Sequence, residues 1–173
     1  MGVDKSTLMY HAKPQIEYVY DLLAGACEEV FLSKRADQAA YQDIPFINDH
    51  SEYTGIGPLG GILSAMKAYP AASWLVMACD LPWVDQQTLS YLLKHRDSTK
   101  VATAFRSTHD GFPEPLCAVW ESKAYSIAQA FLEQGKQCPR KILINSDICL
   151  LEQQDPRWLD NVNTMDEYRA IKG

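Results

Sequence analysis

The chain has 173 residues, of which 47% are hydrophobic and 22% charged, enough to bury one core and to form a single domain over residues 1–173. No run of about 18 apolar residues occurs, which excludes a spanning helix, and Asp4 and Lys5 stand where a signal peptide would need an apolar block. A net charge of -6 disfavours a nucleic-acid binder, which needs a basic face, while leaving room for a small anionic ligand. Five scattered cysteines without a Cys-x-x-Cys pair fit neither a disulfide framework nor a zinc site and point to a reducing cytoplasm.

In chain order, Ile16, Tyr20, Leu23 and Cys27 recur at helical spacing, and Pro14 suits a helix start, so 14–27 is predicted to be a helix. The runs 29–33 and 44–48 read as strands, each followed by polar or glycine-bearing sequence. The glycines of 55–61 read as a loop feeding a helix over 62–67. Ser73 to Cys79 is the most continuously apolar run and is expected to form a central parallel strand buried on both faces. Leu89, Leu92 and Leu93 mark a helix in 85–95, and 101–105 and 116–120 read as strands. A helix over 122–133 should stop near Gly135, and the tail 164–172 reads as a short helix with Thr164 and Glu167 as a capping box. Alternating strands and helices imply an α/β fold, Rossmann-like, three-layered and with a mostly parallel sheet, whose ligands lie beyond the carboxyl ends of the strands.

That rule puts Asp80, in Cys79-Asp80-Leu81-Pro82, at the ligand edge. A carboxylate there can hold a hard divalent cation beside substrate phosphates, or it can simply cap a turn. The Gly55 to Gly61 segment either lets backbone approach an anionic ligand closely or is a flexible turn. Lys5 is either an exposed terminal charge or a point charge for a triphosphate. Asn161 and Asn163 either lead into the last helix or present amides to a second substrate. The four histidines share no ligand spacing and read as surface residues.

Together these segments resemble the molybdenum cofactor guanylyltransferases, the MobA family of nucleotidyltransferases. Met1-Gly2-Val3-Asp4-Lys5, with Leu8 in register, resembles the end of the family's opening LxGGxSxRMGxDKxxL motif. Asp49 with Gly57-Pro58-Leu59-Gly60-Gly61 resembles its D…GPLxGI segment, Cys79 to Pro82 its CDxP segment, and Asn161 to Thr164 its NxNTPE segment, with Met165 in place of proline. The family's first strand and phosphate-binding loop, LxGGxSxR, have no counterpart here, so an incomplete N-terminus with little GTP turnover is expected.

The resemblance implies transfer of GMP from GTP to molybdopterin, already carrying molybdenum, with loss of pyrophosphate. It implies Asp80 as ligand of Mg2+ or Mn2+, Lys5 on the triphosphate, and Ser33, Asp49 and residues 57–61 at the nucleotide. Asn161 and Asn163 would face the pterin. A cytidylyltransferase of the same fold and a silent binding remnant are the alternatives. A homo-oligomer, or contact with other molybdenum cofactor biosynthesis proteins, is compatible with the sequence.

Overall fold

The structure is a computed structural model that describes residues 13–41 and 43–162. The expected tail helix, Lys5, Asn163 and His11 lie outside the described residues. The elements are α1 (Gln15–Ala24), β1 (Leu32–Lys34), β2 (Phe46–Asn48), a 3-10 turn (Ser51–Tyr53), α2 (Pro58–Ala68), β3 (Trp74–Met77), α3 (Gln86–Lys94), β4 (Ala102–Arg106), β5 (Pro113–Trp120), α4 (Ala124–Glu133), α5 (Pro139–Ile144) and β6 (Cys149–Leu151).

Local chemistry explains the helix ends. Asp85 accepts from the Thr88 amide at 2.9 Å while its own amide donates to the Thr88 hydroxyl at 3.3 Å, a reciprocal cap that satisfies two otherwise orphaned donors of α3. Pro58 and Pro139 open α2 and α5, where a missing N–H costs nothing. Gly135, with φ 75°, follows α4 in the left-handed region that ends a helix without a Cβ penalty.

Four strands form one sheet in the order β3-β5-β4-β6. β5 runs antiparallel to both β3 and β4, and β4 runs parallel to β6. Three of the four strands therefore point the same way, with one reversed strand between them. β1 and β2 form a separate parallel pair, Leu32 opposite Phe46 and Lys34 opposite Asn48. The sheet system is thus mixed.

Strand alternation sorts side chains into two cores. Ala102, Ala104, Ala118 and Trp120 face a cluster built with Leu59 and Leu63 of α2, Ala124 and Ala128 of α4 and Ile142 of α5. Phe105, Cys117 and Val119 face the other, with Leu89 and Leu92 of α3, Trp158 and residues at the end of α1. Helices cover both faces, which gives the three layers expected. Burial pushes the Cys117 thiol up to about 12, so it packs as a neutral apolar group.

β3 departs from expectation. Among the described residues it lies at the end of the four-stranded sheet, its one ladder partner there is the antiparallel β5, and all four of its residues are only half-buried. The reason lies beside it. A slot of about 260 Å³ separates β3 from Phe31, Leu32 and Ser33, with Ile16, Val19 and Leu23 of α1 and Ile62 and Ala65 of α2 completing its wall. β1 and β3 thus face each other across an apolar space, each with one ladder edge unpaired among the described residues. The Trp74 indole N–H is buried at this edge with no hydrogen-bond partner among the described residues.

Glu121 is the most deeply buried carboxylate among the described residues, 4% exposed. Arg96 grips it with two bonds of 2.7 and 2.8 Å, and the Ser73 hydroxyl donates at 2.6 Å. Burial opposes its ionisation, but the guanidinium fork and the hydroxyl outweigh burial and hold the carboxyl below its usual range. A depressed folded value means the contribution is complete above the unfolded value of about 4.3 and is lost as pH falls through the folded one. Urea unfolding between pH 3 and pH 6 should show this acid loss, and Glu121→Gln should flatten it. Because Arg96 is partly solvated, the substitution should cost only about 1–2 kcal/mol near neutrality.

Candidate functional site

The parallel ladder between β1 and β2 continues for one bond beyond the strands, where the Asp49 amide donates to the Lys34 carbonyl at 2.9 Å. This sets Asp49 beside Ser33, whose hydroxyl bonds its carboxylate. Burial raises the Asp49 carboxyl above its ordinary range, and the Ser33 bond and the nearby Arg35 charge only partly offset that. A half-buried carboxylate of this kind is suited to accept hydrogen bonds from ligand hydroxyl or N–H groups.

Residues 55–61 form the opposite wall. Gly55 and Gly57 have φ of 80° and 66°, a backbone that a side chain would strain, and Gly57 is the N-cap of α2. The run 55–61 is therefore not all loop: Pro58 to Gly61 already form the first turn of α2. Gly60 and Gly61 are required by proximity rather than flexibility. A Cβ on Gly60 would lie 2.6 Å from the Tyr53 carbonyl oxygen, and one on Gly61 would lie 2.2 Å from the Ser33 hydroxyl. The Tyr53 carbonyl cannot retreat easily, because its ring is buried and its hydroxyl is bonded to Tyr125 at 2.8 Å and Gln129 at 3.1 Å. Gly60→Ala should therefore cost about 1–3 kcal/mol through overpacking, lowering the melting temperature by roughly 3–10 °C in a scan at neutral pH.

Between these walls lies a cavity of about 460 Å³. Ser33, Asp49, Gly57, Pro58 and Gly61 line it, so five of the residues expected at a nucleotide meet in one place. Leu59 and Gly60 do not line it: Leu59 is fully buried in the core and Gly60 packs on Tyr53. Sequence reasoning missed Lys34, Arg35 and Gln38, which form the polar rim. The Lys34 ammonium donates to the Gln38 carbonyl at 2.8 Å and lies 4.8 Å from the centre of the Phe46 ring. The signal was readable, because two consecutive cations, Lys34 and Arg35, close a short apolar run. The amino end of α2 lies on the opposite wall, where the backbone N–H groups of a helix start suit an anion.

Asp80 stands apart from this cavity, in the turn that follows β3. The turn is held on several sides. The Gln15 amide donates to the Leu81 carbonyl at 3.4 Å, Tyr18 to the Val84 carbonyl at 3.1 Å, and the Val162 amide to the Asp80 carbonyl at 3.4 Å. The last bond brings exposed Asn161, one residue before Val162, to the same turn. Ser33, Pro58 and Gly61 line both the cavity and the apolar slot, and Cys79 lines the slot next to Asp80, so the slot links the two groups. His50, His95 and His109 are exposed, as expected.

Among the described residues no three His, Cys, Asp or Glu side chains cluster as a metal cage. A single carboxylate on a fixed turn suits a hard cation that keeps waters and shares phosphate oxygens, rather than a cation caged by protein alone. No helix among the described residues is long and apolar enough to cross a membrane.

The family profile of the MobA-like NTP transferase domain matches residues 1–149. The chain belongs to that family. A Synechocystis protein named "Molybdenum cofactor biosynthesis bifunctional protein" is 34% identical over 99% of this chain and 50% of its own length, so the chain spans about half of that relative. A Bacillus cereus protein named "Probable molybdenum cofactor guanylyltransferase" is 27% identical over 96% of this chain and 86% of its own. Among solved structures, Molybdopterin-guanine dinucleotide biosynthesis protein A from Archaeoglobus fulgidus superposes with a TM-score of 0.76 at 22% identity, covering 98% of this chain and 89% of its own. The 2-C-methyl-D-erythritol 4-phosphate cytidylyltransferase of Thermus thermophilus gives 0.72 at 10% identity over 97% and 92%. These likenesses establish the nucleotidyltransferase-like α/β fold with mixed sheets for this MobA-like domain, a transferase family whose named relatives belong to molybdenum cofactor biosynthesis.

Proposed function

We propose that this MobA-like domain transfers GMP from GTP to molybdopterin, carrying molybdenum, and releases pyrophosphate in the cytoplasm. The observation that carries the reading is the convergence of Ser33, Asp49 and the first turn of α2 on one cavity with a cationic rim. A terminal phosphate oxygen of the acceptor attacks the α-phosphorus of GTP, a new P–O bond forms, and the bond to the bridging oxygen breaks with the electron pair leaving on pyrophosphate. No covalent enzyme intermediate is required.

The chain's part is alignment and charge. Asp49 accepts hydrogen bonds from the nucleoside, and Gly57 and Pro58 let the backbone approach it. Lys34 and Arg35 line the same cavity and would meet the phosphates, and Lys5 would contact the triphosphate. Asp80 would hold Mg2+, or Mn2+ in its place; such a cation neutralises the charge that builds on the phosphates. Asn161 and Asn163 face the acceptor.

The test is a thermal-shift titration followed by transfer of label from GTP labelled at its α-phosphate. Stabilisation by magnesium and GTP, growing with ligand concentration and absent with CTP, is the expected result. Stabilisation by CTP alone would convert the reading to a cytidylyltransferase. No nucleotide response from either would leave a binding module without transfer chemistry.

A further inference from the structure

Beside the Asp80 turn lies a second polar cavity, of about 280 Å³, lined by Trp83 and Asp85 from that turn, by Gln87 of α3 and by Gln154, Asp155 and Arg157 from the segment after β6. The two segments are held together: Trp158, buried in the core, packs with Leu81 and Val84, and Val162 bonds the Asp80 carbonyl. The volume is near the lower end for small-molecule sites, about 300 Å³, which suits one fused ring system rather than a whole nucleotide.

Its lining has a definite chemistry. Trp83 is a large aromatic left 37% exposed, and the Arg157 guanidinium lies 5.6 Å from its ring centre. Arg157 is fixed by a two-bond fork to Asp155 at 2.8 and 3.1 Å, which draws the Asp155 carboxyl down to about 2 and keeps that carboxylate engaged. Asp85 differs. Its Oδ1 caps α3, and no described residue hydrogen-bonds its Oδ2. Gln87 and Gln154 add exposed amides. A flat wall, a carboxylate oxygen and amide groups together match a planar heterocycle with adjacent N–H donors beside a carbonyl.

We propose that this cavity binds the 2-amino-4-oxo edge of the acceptor's pterin ring, with Trp83 stacking on the ring and Asp85 accepting its N–H groups. The assignment rests on the transferase reading above, in which the acceptor approaches from the Asp80 side. Guanine carries the same edge, so the nucleotide is the competing source. The nucleotide's own cavity, at Ser33 and Asp49, lies in a different part of the chain.

The experiment titrates unsubstituted pterin into the full chain and follows the fluorescence of the pterin itself, alongside thermal shifts with magnesium and GTP. Trp83→Leu should weaken pterin binding at least tenfold, and Asp85→Asn should do likewise while keeping the α3 cap, since asparagine caps as well as aspartate. Lumazine, with an oxygen in place of the 2-amino group, should bind at least tenfold more weakly than pterin. The GTP-dependent shift should not change in either variant. Equal pterin binding by wild type and both variants overturns the assignment, as does absence of pterin binding or loss of the GTP shift with pterin binding retained. Selective loss of pterin binding in these variants, with no GMP transfer even by a chain lengthened upstream with the family's first strand and loop, supports the cavity and removes the transferase reading, which keeps the two failures distinct.

Discussion

Lengthening the chain upstream by about 15–20 residues, enough for one strand and its following turn, and carrying Leu-x-Gly-Gly-x-Ser-x-Arg, is expected to raise the melting temperature by about 10 °C. The cause is the slot between β1 and β3, lined by apolar side chains from α1, α2 and both strands. A strand laid there pairs with an edge on each side and buries two or three apolar side chains, each contributing about 1.5–3 kcal/mol before ordering costs. After those costs, a net gain of about 3–4 kcal/mol corresponds to that shift for a domain of this size. Ser33 and Pro58 line both the slot and the nucleotide cavity, so the loop after such a strand is expected to add backbone N–H groups to that cavity. Transfer by residues 1–173 alone should accordingly be at least a hundredfold below that of the longer chain. Equal melting temperatures and equal turnover would show that the slot does not take a strand.

The second large effect concerns Asp80. In the lengthened chain, Asp80→Ala should reduce magnesium-dependent GMP transfer by about a thousandfold, the scale of removing a principal source of charge stabilisation. Circular dichroism and the melting temperature should change little. The turn is held by the Gln15, Tyr18 and Val162 bonds, which end on the backbone carbonyls of Leu81, Val84 and Asp80 and are kept when the side chain at position 80 is replaced. Undiminished transfer would remove Asp80 from the metal site. A large fall in melting temperature would instead assign it a structural task.

These two predictions also mark how far the sequence could be read. α3 was legible because Asp85 caps it and Leu89 and Leu92 repeat at helical spacing, both now fully buried. The strand at 73–79 was legible as a strand, but not its place in the sheet. An apolar run reports burial potential, whereas position depends on which other strands arrive. The reversed direction of β5 was equally invisible, since direction comes from the connection and not from the alternation. Gly60 and Gly61 read as loop because glycine is a poor helix former, yet close approach to Tyr53 and Ser33 overrides that propensity. α5 and β6, of six and three residues, are too short to carry a periodic signal. At the site, Ser33, Asp49 and the start of α2, far apart in sequence and expected together at a nucleotide, line one cavity. The Trp83 cavity was not legible, because a single exposed aromatic residue carries meaning only once its neighbours are known.

The β1–β2 pair has a kinetic meaning as well as a geometric one. Three residues on each side hold it together, and α2 is its main attachment to the remainder. Its amides should therefore exchange with solvent well before those of β4 and β5, whose flanking strands and two packed faces resist local opening. A nucleotide seated between Ser33, Asp49 and α2 would bridge that seam. Deuterium uptake at 32–34 and 46–48 would then fall on binding while the four-stranded sheet stays as slow as before, and occupancy could be followed from the backbone in the absence of turnover.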